Sequence, residues 1–87
     1  MRLDKFLKVS RLIKRRTVAK EASEEGRVLI NGKEAKPSST VKVGDELCIR
    51  YGNRSITVRV EQLAESTRKD AAGSMYSLIK EEFHSTE

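Results

Sequence analysis

Leu3, Phe6 and Leu7 recur at spacings of three and four, the signature of one face of a short helix over about 3–9. Lys5 and Lys8 fall off that face, toward solvent. Leu12 and Ile13 interrupt a basic run and are expected to tuck inward where the chain turns. A second helix is expected over about 15–25, with Val18, Ala19 and Ala22 as its apolar stripe. Gly26 stands just past its end, where a glycine commonly stops a helix. The period then shortens. Val28-Leu29-Ile30 leads into Asn31-Gly32, a strong hairpin signal because both turn positions call for positive φ. Pro37 to Thr40 reads as a loop, and Gly44-Asp45 as a turn. Leu47, Ile49 and Tyr51 alternate with Glu46, Cys48 and Arg50. Past Gly52-Asn53, Ile56, Val58 and Val60 alternate with Thr57 and Arg59, so strands fill about 27–60.

The C-terminal third has a different pattern. Positions 61–70 are polar and read as a linker. Ala72, Met75, Tyr76, Ile79 and Phe83 recur at helical spacing behind Asp70, a candidate N-cap, although Gly73 weakens the pattern. His84 to Glu87 are expected to fray. The elements add up to an α+β chain: two N-terminal helices, a small antiparallel sheet and a short C-terminal helix. A domain over 1–60 is followed by the linker and helix of 61–87.

Charge changes the picture more than composition does. The first twenty residues hold eight Lys or Arg and one acid, net +7, while the remaining chain carries ten basic and twelve acidic residues, net −2. The whole chain, 87 residues long, is +5 and suits one domain with a modest core. The single cysteine, Cys48, excludes an internal disulfide and is expected as a small buried hydrophobe in a reducing cytoplasm. Charges interrupt the N-terminus too often for a signal peptide, and no run is long enough for a membrane span.

Enzyme chemistry finds no constellation here. His84 has no nucleophile or acid partner in view, and Glu81 and Glu82 are neighbours that diverge on the expected helix. Gly26, Gly32, Gly44 and Gly52 are spaced as turns rather than as a phosphate-cradling loop. No metal, cofactor or small-molecule substrate is expected. An ordinary solvated helix face would interleave acids with its bases, and the run from Lys5 to Lys20 has none. Such a run suits a polyanion, and Arg2, Lys5, Lys8, Arg11, Lys14, Arg15, Arg16 and Lys20 are the candidate phosphate contacts. Aromatic residues are too few and too scattered for stacking on single strands. The run lacks Asn and Gln for reading base edges in a DNA groove. Backbone and shape recognition of structured RNA fits better.

Arg2-Leu3-Asp4 with Phe6-Leu7, then Arg16-x-x-Ala19, then Gly26-Arg27-Val28-x-Ile30-Asn31-Gly32, then Val43-Gly44-Asp45, together resemble the S-four RNA-binding domain. That module is named for ribosomal small-subunit protein four. The likeness covers about positions 1–52. It implies two packed helices on a small twisted antiparallel sheet, with RNA along the exposed helix face. Arg2 and Arg16 match the family's arginines, and Asp4 matches its acid, expected to orient local backbone or a basic neighbour. The family often has Ser or Thr just before the second arginine. Lys14 and Arg15 stand there in this chain, so the usual helix cap is in question.

The whole chain is similar to stand-alone members of this family that act in ribosome quality control. That likeness implies binding to ribosomal RNA and peptidyl-tRNA on the large subunit, in support of a protein factor that adds C-terminal alanines to stalled chains. Two other readings compete. A heat-shock-type ribosome-recycling factor has a longer basic C-terminal extension, whereas positions 61–87 are net −3. A protein-interaction adaptor would bind an acidic partner and no RNA.

Overall fold

The structure, a computed structural model, describes residues 1–64 and 72–83. Helix α1 spans Leu3–Val9 and α2 spans Arg16–Glu24. Strands follow at Val28–Ile30 (β1), Lys33–Glu34 (β2), Glu46–Tyr51 (β3), Arg54–Val60 (β4) and Tyr76–Phe83 (β5). They form one antiparallel sheet in the order β2-β1-β3-β4-β5.

The register explains the layering. Val28 pairs with Ile49 and Ile30 with Leu47, and these in turn pair with Ile56 and Val58. Paired residues share a sheet face, so one face is a continuous apolar surface. Leu3, Phe6 and Leu7 of α1, with Ala19 and Ala22 of α2, close over it in a single core. The alternation in β3 is as expected, with Leu47 and Ile49 fully buried. Cys48 lies on the opposite face and is half-buried rather than buried.

Both helices end in left-handed turns. Gly26 (φ +75) follows α2; its N–H donates to the Ser23 carbonyl and that of Arg27 to the Ala22 carbonyl, the two bonds of a Schellman motif. The corresponding position after α1 is Arg11, at φ +65. Its N–H donates to the Lys8 carbonyl, and the Ile13 N–H takes the Leu7 carbonyl. Ile13 is thereby drawn into the core, and Tyr51 fixes the next residue back: its hydroxyl donates to the Leu12 carbonyl at 2.6 Å. Burial pushes the Tyr51 phenol up to about 12, against a smaller opposing pull from Arg54.

Two expectations need correction. The C-terminal helix is instead a 3-10 turn, Ala72–Met75, leading into β5. Without β5, β4 would present a long row of unpaired backbone groups, and β5 pairs that edge from Arg54↔Phe83 to Val60↔Tyr76. A helix would have set Met75, Ile79 and Phe83 together on the core. Met75 alone is buried, and Phe83 is 74% exposed. In α2 the stripe is Ala19, Ala22 and Ser23, while Val18 is 45% exposed. Small residues let α2 lie close, and the Ser23 hydroxyl is satisfied by the Ala19 carbonyl at 2.8 Å. Asp70, most of the expected linker and the tail expected to fray lie outside the described residues.

Candidate nucleic-acid interface

Arg2 stands in extended conformation immediately before α1 and bridges antiparallel to Thr40. The first amides of α1 are satisfied by the loop: Leu3 N–H donates to the Ser39 carbonyl at 2.8 Å and Asp4 N–H to the Pro37 carbonyl at 3.2 Å. The carboxylate of Asp4 is therefore free of capping duty. It is 3% exposed and accepts three charge-assisted contacts. Arg2 gives Nε to Oδ1 at 3.3 Å and Nη2 to Oδ2 at 3.4 Å; Arg16, the first residue of α2, gives Nη2 to Oδ1 at 3.4 Å. Burial alone would raise the Asp4 pKa, but the hydrogen bond and charge of Arg16, with those of Arg2, outweigh it and hold the carboxyl below its ordinary value. One buried acid thus joins the starts of the two helices and seats two guanidinium groups, each about half exposed (54% and 50%).

The other sequence-predicted residues lie on α1, on α2 and in the connection between them. Lys8 is in the last turn of α1, and Arg11, Lys14 and Arg15 follow in the exposed connection to α2. Arg15 occupies the N-cap of α2 and makes no side-chain cap bond, so the Ser/Thr cap is not replaced. Lys20 lies one turn after Arg16 on the same helix side. Lys5 is half-buried, less open than the other candidate cations. Among the described residues, Lys8, Arg11, Lys14, Arg15 and Lys20 carry no ion pair. Five exposed cations without neutralising acids, on the same N-terminal stretch as two held by one carboxylate, make that stretch positive and suited to a phosphate backbone.

A groove of about 630 Å³ opens beside this surface, between α2 and the chain from Glu34 to Ser38. Arg2 and Lys20 line it, and so does Lys36, which the sequence did not single out. Lys36 comes near because the Arg2↔Thr40 bridge and the bonds from Leu3 to Ser39 and from Asp4 to Pro37 hold its loop against the N-terminus. Tyr51, expected only as part of the alternation in β3, also braces the connection between the helices. No group of three metal-ligating side chains exists among the described residues, and no helix there is long and apolar enough to cross a membrane.

Comparison with known proteins finds a family and relatives that span most of the chain. The family model described as "S4 domain" matches residues 1–47. The chain is 60% identical over 82 residues to the RQC P-site tRNA stabilizing factor of Bacillus subtilis (strain 168), covering 94% of this chain and 95% of that protein. It is 41% identical over 68 residues to heat shock protein 15 of Escherichia coli (strain K12), covering 78% of this chain but 51% of that one. Among solved structures, the trimeric heat shock protein 15 of Vibrio cholerae superposes with a TM-score of 0.85 at 34% identity, over 91% of this chain and 81% of that one.

Proposed function

The chain belongs to the S4 domain family, and from that premise we propose that it is a non-catalytic RNA-binding protein of ribosome quality control. It binds ribosomal RNA and P-site peptidyl-tRNA on the large subunit and acts in the cytoplasm, where that subunit is. By holding the tRNA it supports a partner factor that adds alanines to the stalled chain. The observation that supports the reading is the Arg2–Asp4–Arg16 cluster, on the same N-terminal stretch as five exposed cations that carry no ion pair among the described residues. Arginine's planar fork holds a phosphate through two hydrogen bonds, and Asp4 fixes both forks before RNA arrives. A full-length match to the stabilizing factor, against half-length to the heat-shock relative, favours the quality-control role over the recycling role.

Co-sedimentation of Arg16→Ala with large ribosomal subunits tests the reading. The variant is expected to fold and to bind markedly less. Wild-type affinity should fall steeply with salt, by about 0.7–0.9 in log–log slope for each phosphate contact. Undiminished co-sedimentation of Arg16→Ala would overturn the proposal, and a flat salt response would favour an adaptor for an acidic protein.

A further inference from the structure

We propose that the groove between α2 and the Glu34–Ser38 chain is a subsite for one unpaired nucleotide of the bound RNA. Its phosphate lies among Arg2, Lys20 and Lys36, and the amino edge of its base meets Glu24 or Glu34. The inference rests on the RNA-binding reading and adds to it a place, a ligand class and three residues.

The groove is open, and three of the residues that line it are small. Ser23 and Ala35 are buried, and Gly26 has no side chain. At about 630 Å³ it falls within the roughly 300–1,000 Å³ typical of small-molecule sites. Its walls are fixed. Backbone bonds tie Ser39 to Leu3 and Pro37 to Asp4, and the Lys36 N–H donates to Ser39 Oγ at 2.8 Å. Glu34 is placed too, its carboxylate lying over Gly26 where a Cβ would stand. Arg2 belongs to the groove and to the Asp4 cluster alike, so an RNA strand on the cationic surface continues into the groove without a break.

The acids in the groove favour a base over phosphate alone. Glu24 and Glu34 line the same groove as Lys20 and Lys36, yet among the described residues none of the four is in an ion pair. A bare phosphate stretch gains from the lysines and is repelled by the carboxylates. A nucleotide satisfies both, because the exocyclic amine of cytosine or adenine donates to a carboxylate while the phosphate takes the cations. Sequence-selective RNA contacts mostly use such unstacked bases.

The test turns on a sign. Removing an acid near a polyanion should strengthen binding if only charge matters. In this groove, Glu24→Ala with Glu34→Ala should weaken it, but only when a base is there. Fluorescence anisotropy would follow the full chain with three RNA hairpins: one with a single bulged cytidine, one with an abasic residue at the bulge, and one fully paired. The double variant is expected to bind the bulged-cytidine hairpin roughly five- to a hundredfold more weakly, the range of a base-edge contact. It should bind the other two at least as well as wild type. Lys36→Ala should lower affinity and reduce the salt slope by about 0.7–0.9. If Glu34→Ala lowers the melting temperature, Glu24→Ala alone carries the same test of sign. Equal or tighter binding of the acid variants to all three hairpins would refute the subsite and leave the RNA reading standing. Unchanged binding of Arg16→Ala to all three would refute the RNA reading itself.

Discussion

Arg11→Gly should make this protein more stable and a poorer RNA binder. The two helices end alike, with the residue after the C-cap at φ +65 in one and +75 in the other, but the first is arginine and the second glycine. A side chain in left-handed conformation costs about 1–2 kcal/mol. Glycine removes that cost and gives back about 0.4–1 kcal/mol through the freer unfolded chain. The net gain is about 0.5–1 kcal/mol, or roughly 2–8 °C in melting temperature for a domain of this size. Arg11→Ala keeps the Cβ and the strain, so it should show no gain. Both variants lose the same charge, and each should lower the salt slope of RNA binding by about 0.7–0.9. Calorimetric melting of wild type and both variants, with anisotropy titrations at several salt concentrations, separates the two effects. A glycine variant no more stable than the alanine variant would refute the strain argument. Undiminished RNA affinity in both would mean that the strained arginine serves no contact.

Asp4→Asn should cost about 1–3 kcal/mol at pH 7, the worth of charge-assisted bonds discounted because both arginines are half in water. The folded-state pKa of Asp4 is lowered, so its contribution is present above the unfolded-state pKa and lost as pH falls through the folded one; urea titrations should show the gap between wild type and Asp4→Asn closing in acid. Tyr51→Phe leaves the Leu12 carbonyl without its 2.6 Å donor and should lower the unfolding free energy measured in urea by about 1–2 kcal/mol. In wild type the phenol should titrate near 12 by ultraviolet absorbance, and stability should fall as pH rises from about 10, where the unfolded tyrosine ionises first. A chain ending at Met75 should stay folded with roughly 1–3 kcal/mol less stability, because β5 is mostly exposed, and should self-associate through the opened β4 edge in light scattering.

What the sequence revealed and what it hid follow from the range of the interactions. The pattern Leu3, Phe6, Leu7 is local, and α1 lies where it points. Asn31-Gly32 turns as expected, with φ of +51 and +84. The apolar residues near the C-terminus misled because Met75, Ile79 and Phe83 sit four apart by coincidence. A register shift opposite Thr57 and Val58 breaks the alternation that would have marked a strand. What decides the strand is the open edge of β4, which no local pattern records. The same holds for the interface. The cations were visible as a charge run, and the matched acid at Asp4 came with the family likeness. Lys36 was hidden in a short Lys-Glu-Ala-Lys stretch of mixed charge, and only long-range contacts of its loop with Arg2, Leu3 and Asp4 bring it to the site.

The buried aspartate resolves a conflict in the design of this surface. Eight cations within twenty residues repel one another in the free protein, and an acid added to relieve that repulsion would ordinarily compete with RNA for the same donors. Asp4 does not need to be displaced. A guanidinium has five N–H donors. Arg2 spends two of its own on Asp4 and Arg16 spends one, so both retain donors for a phosphate while the pair stays intact. Because the carboxylate is buried and both guanidinium groups are half exposed, the acid holds the cations from behind and leaves their outer edges open. On the proposed function, RNA would add contacts to a preformed cluster, which would keep the ordering cost of two long side chains out of the binding step.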